Sequence, residues 1–287
     1  MINIIPMWIK KLAALLVVTG CITAAAGQSL KVLTFNIRYD NPGDGQNSWS
    51  GRRVWLCSQI TSCSPDIFGI QEGLAHQVDF IDSTLAVYHH IGVGRDDGVK
   101  AGEFSAIFYN FKRFRVLRQS SFWLSPTPGK PSKGWDAACI RICTFGLFEE
   151  LTTRRQFWVF NTHLDHMGAV ARQNSAVLIC QKIGEMNRKG LPVILTGDFN
   201  GGPESEPIRY IAGRLADARL AMQKPEPGAE GTFNGFDPSM QVNERIDFIF
   251  TGKTGFSITN YHVIREFHDG KYPSDHFPVL VEMKFTR

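Results

Sequence analysis

The chain has 287 residues, 43% hydrophobic and 20% charged, with a formal net charge of +4. Those values exclude a disordered or collagen-like chain and allow a sizeable buried core. The small charge offers no broad electrostatic footprint for gripping a long nucleic acid.

Residues 1–27 read as an export signal. Lys10 and Lys11 precede the apolar, small-residue run LAALLVVTGCITAAAG, which is short for a membrane span. Two processing routes fit. Cleavage after Ala24-Ala25-Ala26 or Ala25-Ala26-Gly27 would release a secreted or periplasmic protein. The box VTGC resembles a bacterial lipoprotein box and would leave a lipid-anchored Cys21. Removing residues 1–27 takes two lysines and no acid, so +4 falls to +2. Five cysteines follow: Cys57, Cys63, Cys139, Cys143 and Cys180. The odd number leaves at least one outside an internal disulfide, and no CxxC spacing suggests zinc. Buried free thiols are expected, with a Cys57–Cys63 bridge or one involving Cys139 left open. Cys139 and Cys143 are expected on one face of an extended segment.

The elements follow in order. LKVLTFNIR is a strand with Asn36 near its end. RRVWLCSQITSC is a helical pattern stopped by Ser64-Pro65. DIFGIQE is a strand ending on Gln71 and Glu72. HQVDFIDSTL is a helix, and FSAIFYN a strand. RQFWVFNTH is a strand ending on Asn161 and His163. AVARQNSAVLICQKIGEMNRKG is a helix closed by Gly190. LPVILTGDFN ends on Asp198 and Asn200, RIDFIF carries Asp247 at its start, and Asp275 and His276 precede FPVLVEMKF. Such continuous apolar runs suit strands buried on both faces. Some strands adjoin without a helix between them, so the chain is mixed α/β with hairpins. Loops at 39–51, 93–103, 124–138, 223–245 and 265–275 are rich in Gly, Pro, Asp and Ser, as functional loops often are. Nothing divides the chain, so residues 28–287 are expected to form a single catalytic domain.

Polar groups at the edges of six apolar strands point to one shared site, because burying a lone carboxylate costs several kcal/mol. Asn36 and Glu72 offer hard oxygen ligands for Mg2+ or Mn2+. A metal there would polarise a phosphate oxygen. His276 suits a general acid or base, or a phosphate ligand, and needs a carboxylate to fix its tautomer. Asp198 would orient an attacking water and accept its proton. Asn200 and His163 would donate to a charged phosphoryl transition state. No HExxH, GxSxG or GxxxxGK[ST] motif is present, which argues against zinc hydrolysis, a serine hydrolase and a P-loop.

In this order TFNIR, GIQE, NTHLD, TGDFN, RIDFIF and SDHFPV resemble the endonuclease/exonuclease/phosphatase superfamily, over about residues 30 to 285. Its members include deoxyribonuclease I, apurinic endonucleases, inositol polyphosphate 5-phosphatases and neutral sphingomyelinases. The resemblance implies a four-layer α/β/β/α sandwich, deoxyribonuclease I-like, with the site at one edge. It implies metal-site roles for Asn36, Glu72 and Asp275, and catalytic roles for His163, Asp198, Asn200, Asp247 and His276. Asp247 is implied as the buried partner of His276, and Asp275 as facing the metal.

Flanking residues extend the site. Arg95 and Glu103 sit in a Gly-rich loop that lines the substrate pocket or forms a solvated hairpin. Arg141 would hold a phosphate and Trp135 would stack on a sugar or base, against a packing role for both. Arg172 reaches the site or pairs with an acid. The expected function is Mg2+- or Mn2+-dependent hydrolysis of a phosphomonoester or phosphodiester. The substrate would be a small phosphorylated molecule or a lipid head group. A secreted nuclease is the alternative, and a non-catalytic phosphate-binding protein a third reading. Near-neutral charge favours the small substrate. The Trp before GD and the Cys-Asp-Arg segment of the 5-phosphatases are absent, as is an obvious membrane-inserting hairpin. No protein partner is evident.

Overall fold

The computed structural model describes residues 29–222 and 231–286; the expected export signal and Cys21 lie outside them. Two six-stranded sheets form. In spatial order the first holds β11 (Phe256–Val263), β12 (Val279–Phe285), β1 (Ser29–Asn36), β2 (Ile67–Gln71), β4 (Ile107–Asn110) and β3 (Tyr88–Ile91). The second holds β5 (Phe114–Trp123), β6 (Ile142–Glu150), β7 (Gln156–His163), β8 (Val193–Asp198), β10 (Asp247–Thr251) and β9 (Ala216–Asp217). Among the described residues, only β1–β2 and β7–β8 pair in parallel.

Side-chain alternation along these strands makes the layers. Val32, Ile67, Val159, Ile194 and Ile249 meet between the sheets. Their neighbours Leu33, Phe68 and Ile70 face outward onto α1 (Trp49–Cys63) and α2 (Ala75–Thr84), meeting Leu56, Ile60, Val78 and Ile81. On the second sheet Phe160, Leu195 and Phe248 face α3 (Ala169–Met186) and α4 (Glu206–Ala212), meeting Ala176, Ile179, Ile208 and Ile211. The result is an α/β/β/α sandwich. Both faces of each sheet are covered, which is why the strands read as unbroken apolar runs. Each such side chain contributes roughly 1.5–3 kcal/mol through burial.

One polar joint crosses the apolar centre. Asn161 Nδ2 donates to the carbonyls of Ile70 (2.8 Å) and Ala106 (2.9 Å). Its Oδ1 accepts from Gln71 Nε2 (2.7 Å) and Thr196 Oγ1 (3.0 Å). The close approach requires Gly69, where a Cβ would lie 2.5 Å from Asn161 Oδ1 and 2.6 Å from Thr196 Oγ1.

The structure corrects several boundaries. The third helix ends at Met186, before Gly190. Asn187 stops it by exchanging two side-chain hydrogen bonds with the Leu191 backbone. The loop expected over 39–51 contains a 3-10 helix at Pro42–Asn47 and the first turn of α1. Cys139 does not share a strand with Cys143, because β6 begins at Ile142 and Cys139 lies in the preceding loop. All five described cysteines are free. β3, β5, β9, β11 and α4 escaped the sequence reading, as did β6 apart from the extended segment expected around Cys139 and Cys143. β9 has two residues, and β5 is mostly exposed along its length, so neither presents an apolar run.

Candidate active site

Register brings the polar strand ends together. β1 and β2 run parallel with Asn36 opposite Gln71, so Asn36 and Glu72 leave the first sheet at one edge. β12 is antiparallel to β1, which delivers Asp275 and His276 to that edge. In the second sheet, parallel β7 and β8 set His163 opposite Asp198. Antiparallel β10 sets Asp247 opposite Asp198 from the other side.

The two sheets are tied at this edge. Asn36 Nδ2 donates to Glu72 Oε1 (3.0 Å) and, across the sheets, to Asp198 Oδ2 (2.9 Å). His276 Nδ1 meets Asp247 Oδ2 at 2.9 Å. Asp198 Oδ2 stands between two imidazoles, 3.5 Å from His163 Nε2 and 3.7 Å from His276 Nε2. Asn36, His163, Asp198, Asp247 and His276 are all buried. Asn200, at a positive φ of 47°, donates its backbone N–H to Asp198 Oδ1. Its Nδ2 donates to the Leu164 carbonyl (3.0 Å), which fixes the amide's orientation. The same Nδ2 lies 3.0 Å from His163 Nε2. His163 Nε2 therefore accepts, and the neutral ring carries its proton on Nδ1.

The electrostatics separate the two histidines. Burial opposes charge on His276, but Asp247 and Asp198 outweigh it and hold its pKa well above the ordinary imidazole value. Burial, joined by the charges of Arg141 and Arg95, holds His163 well below that value. Burial and then Asp247 push Asp198 up. Burial pushes Asp275 up to about 6, with His276 opposing and Glu72 adding to the rise.

Asp275 does not hold its neighbour's ring. Its carboxylate lies 3.3 Å from Ser274 Oγ and 3.6 Å from Arg38 Nη1. Glu72, at a φ of 65°, also accepts from the Tyr39 backbone N–H. Beneath them buried Arg52 donates to the carbonyls of Ile37, Arg38 and Pro273, pinning the β1 end to the approach of β12.

Above this floor opens a cleft of about 550 Å³. Of the residues singled out in flanking segments, Arg95, Glu103 and Arg141 line it. Arg95 pairs with Glu103 at 2.7 Å. Trp135 and Arg172 are not among the lining residues. Trp135 is exposed on its loop, and Arg172 donates to the Asp165 backbone carbonyl. Sequence reasoning missed Arg38, Tyr39, Cys139, Phe233, Glu244 and Ile246, which also line the cleft. Arg38 carried a signal in its position two residues after Asn36; Phe233 carried none.

Asp165, in the NTHLD motif, was also unassigned. Its two oxygens accept the backbone N–H groups of Ala138, Cys139, Met167 and Gly168, and Arg141 Nε. Burial would raise its pKa, but the four backbone donors hold it well below the usual carboxylate range. Cys139, Asp165 and His166 lie close enough to share an ion. The carboxylate's lone pairs are already committed, so that trio is a structural clamp. Asp198, Asp247 and His276 also bring ligand atoms within 4.8 Å of one another.

The family profile decides the ancestry: residues 33–276 match that of the endonuclease/exonuclease/phosphatase family. The chain belongs to this family. Its members are phosphoester hydrolases. Among solved structures, an endonuclease/exonuclease/phosphatase family protein from Bacteroides thetaiotaomicron is 39% identical with a TM-score of 0.87, covering 91% of this chain and 99% of its own. A mannosyl-6-phosphatase from the same organism is 40% identical with a TM-score of 0.85, covering 89% and 100%. The human nocturnin catalytic domain, with a bound sulfate anion, shares the fold at 20% identity and a TM-score of 0.72, covering 90% and 94%.

Proposed function

We propose that the protein is a divalent-metal-dependent phosphomonoesterase acting on a small phosphorylated molecule, with a sugar phosphate as the substrate class. The observation that carries this reading is the buried Asn36–Asp198–His276–Asp247 network beneath a cleft sized for one small ligand. The similarity to a mannosyl-6-phosphatase supports the sugar phosphate. Phe233 and Ile246 offer the cleft an apolar patch for a sugar's C–H face, and Glu244 an acceptor for hydroxyls.

The donor set fits a hard cation. Glu72 and Asp275 supply oxygens, and burial, with Glu72 adding, raises Asp275, a strain that a cation would relieve. Asn36, expected as a third ligand, instead turns its Nδ2 to Glu72 while its Oδ1 accepts from the Arg38 backbone N–H, so it orients Glu72. Asp247 Oδ2 is committed to His276 Nδ1, which favours Glu72 and Asp275 as the residues that would hold the ion. When bound, Mg2+ or Mn2+ would neutralise charge on the phosphoryl group. In this reading Asp198 orients and deprotonates the attacking water. Asn200 donates to a phosphoryl oxygen. His276, fixed by Asp247, holds a proton facing Asp198 and the cleft. Export through residues 1–27 is part of the proposal.

A phosphate-release screen with Mg2+ over sugar phosphates, inositol phosphates, phospholipids and nucleic acids tests it. Release from a hexose phosphate is expected. Turnover of DNA or RNA alone would overturn the sugar phosphate in favour of a nuclease.

A further inference from the structure

A short ribbon beside the site turns one acid into the cleft. Phe233 pairs with His276, and their rings meet edge to face at 5.1 Å. On the other side of that segment the Thr232 backbone N–H donates to the Glu244 carbonyl (2.8 Å), and Thr232 Oγ1 accepts the N–H groups of Ile246 and Asp247 (3.1 Å each). The close approach requires Gly231, where a Cβ would lie 2.4 Å from the Val242 carbonyl oxygen. Side chains alternate along this edge. Arg245 turns away to Asp217 (3.0 and 2.7 Å), while Glu244 and Ile246 line the cleft with Phe233.

Glu244 differs from the other acids of the cleft. Glu72, Glu103, Asp198 and Asp275 each accept a hydrogen bond or face a guanidinium or imidazole. The Glu244 carboxylate is exposed and makes no hydrogen bond or ion pair with a described residue. The cations show the reverse. Arg38 pairs with Asp44 (2.9 Å), Arg95 with Glu103 (2.7 Å) and Arg141 with Asp165 (3.3 Å). Among the described residues, the wall around Phe233 therefore offers a free acceptor, and every guanidinium lining the cleft already faces a carboxylate.

We propose that Glu244 sets which leaving group the cleft accepts: it takes the hydroxyls of a neutral polyol and excludes a leaving group that carries a second phosphate. The inference rests on the phosphoesterase reading above and narrows its substrate class to singly phosphorylated sugars. An ionised carboxylate only accepts, and its two oxygens can take two neighbouring hydroxyls in charge-assisted bonds. A second phosphate would bring a charge of about −1.5 to −2 at pH 7 beside that carboxylate. Like charges repel there, and the phosphate reaches a guanidinium only by disturbing a pair the cleft already holds.

The test uses the full chain with Mg2+ and compares mannose 6-phosphate, mannose 1,6-bisphosphate and p-nitrophenyl phosphate, whose leaving group has no further hydroxyl. The unaltered protein should favour mannose 6-phosphate over the bisphosphate by at least about tenfold in kcat/KM. Glu244→Ala should lower kcat/KM for mannose 6-phosphate roughly tenfold more than for p-nitrophenyl phosphate, the scale of a lost hydrogen bond to a charged group, with KM carrying the loss. Glu244→Gln keeps an acceptor and removes the charge, so it should raise the bisphosphate-to-monophosphate ratio roughly tenfold. Glu244 is exposed, so neither substitution opens the core. Either ratio unchanged within about threefold, or an unaltered protein that takes the bisphosphate as readily, would overturn the role of Glu244. So would turnover of p-nitrophenyl phosphate with neither sugar hydrolysed, and each of these results leaves a phosphoesterase standing. A protein that hydrolyses none of the three, nor any other phosphoester, would overturn both.

Discussion

Replacing Asn161 by alanine should destabilise the whole fold, because this one side chain joins the two sheets. The substitution removes four hydrogen bonds, two donated to carbonyls of the first sheet's strands and two accepted from Gln71 and Thr196. At about 1 kcal/mol net for each, the loss is about 4 kcal/mol. Three of the four partners keep another bond. Gln71 Nε2 retains Thr34, Thr196 Oγ1 retains the Phe160 carbonyl, and the Ala106 carbonyl retains the Ile70 N–H. That fallback argues against a much larger figure. The melting temperature should fall by roughly 8–16 °C for a chain of this size. Urea unfolding followed by circular dichroism measures the change directly. Asn161→Asp should do worse, since it sets an oxygen against the Ile70 and Ala106 carbonyls and buries a charge. A loss below about 1 kcal/mol for Asn161→Ala would refute the view that the joint stabilises the sandwich.

Asp247→Asn should leave the fold intact yet lower turnover of a phosphomonoester by roughly 10²- to 10⁴-fold, the scale of a lost positioned acid or base. Its carboxylate is the main attraction holding a proton on His276; turnover within threefold of the unaltered protein would exclude that role. Exhaustive EDTA treatment should remove phosphoesterase activity, with Mg2+ or Mn2+ restoring it, and full activity after chelation would rule out the metal. Asp165 has a folded pKa below its unfolded value, so its stabilisation is fully present above about pH 4 and disappears as the pH falls further. Asp165→Asn should therefore flatten the acid limb of the stability curve measured by urea unfolding, and an unchanged limb would contradict the assignment. Gly69→Ala should lower stability without removing any side-chain contact, read by the same unfolding assay.

Sequence alone determined seven of the strands, the helices α1, α2 and α3, and the polar residues stationed at strand ends. These are local signals: an apolar run interrupted by Asn36, Glu72, His163 or Asp198 is visible in a few residues. The tertiary structure decided what those residues touch. Asn36 and Asp198 are 162 positions apart, and only the packing of one sheet on the other brings them within 2.9 Å. Adjacency would pair Asp275 with His276. Register gives the ring to Asp247, 29 positions away, and turns Asp275 towards Arg38. Asn161 looked like the other strand-end groups but lies two positions before His163, one repeat of the strand deeper into the sandwich, and serves as a joint between sheets. Trp135 and Arg141 stood six positions apart in one loop, yet only Arg141 entered the cleft, because the Asp165 clamp draws it in while Trp135 stays exposed. Side-chain type and period are encoded residue by residue. Partnership depends on sheet register and layer packing, which are settled only when distant segments meet.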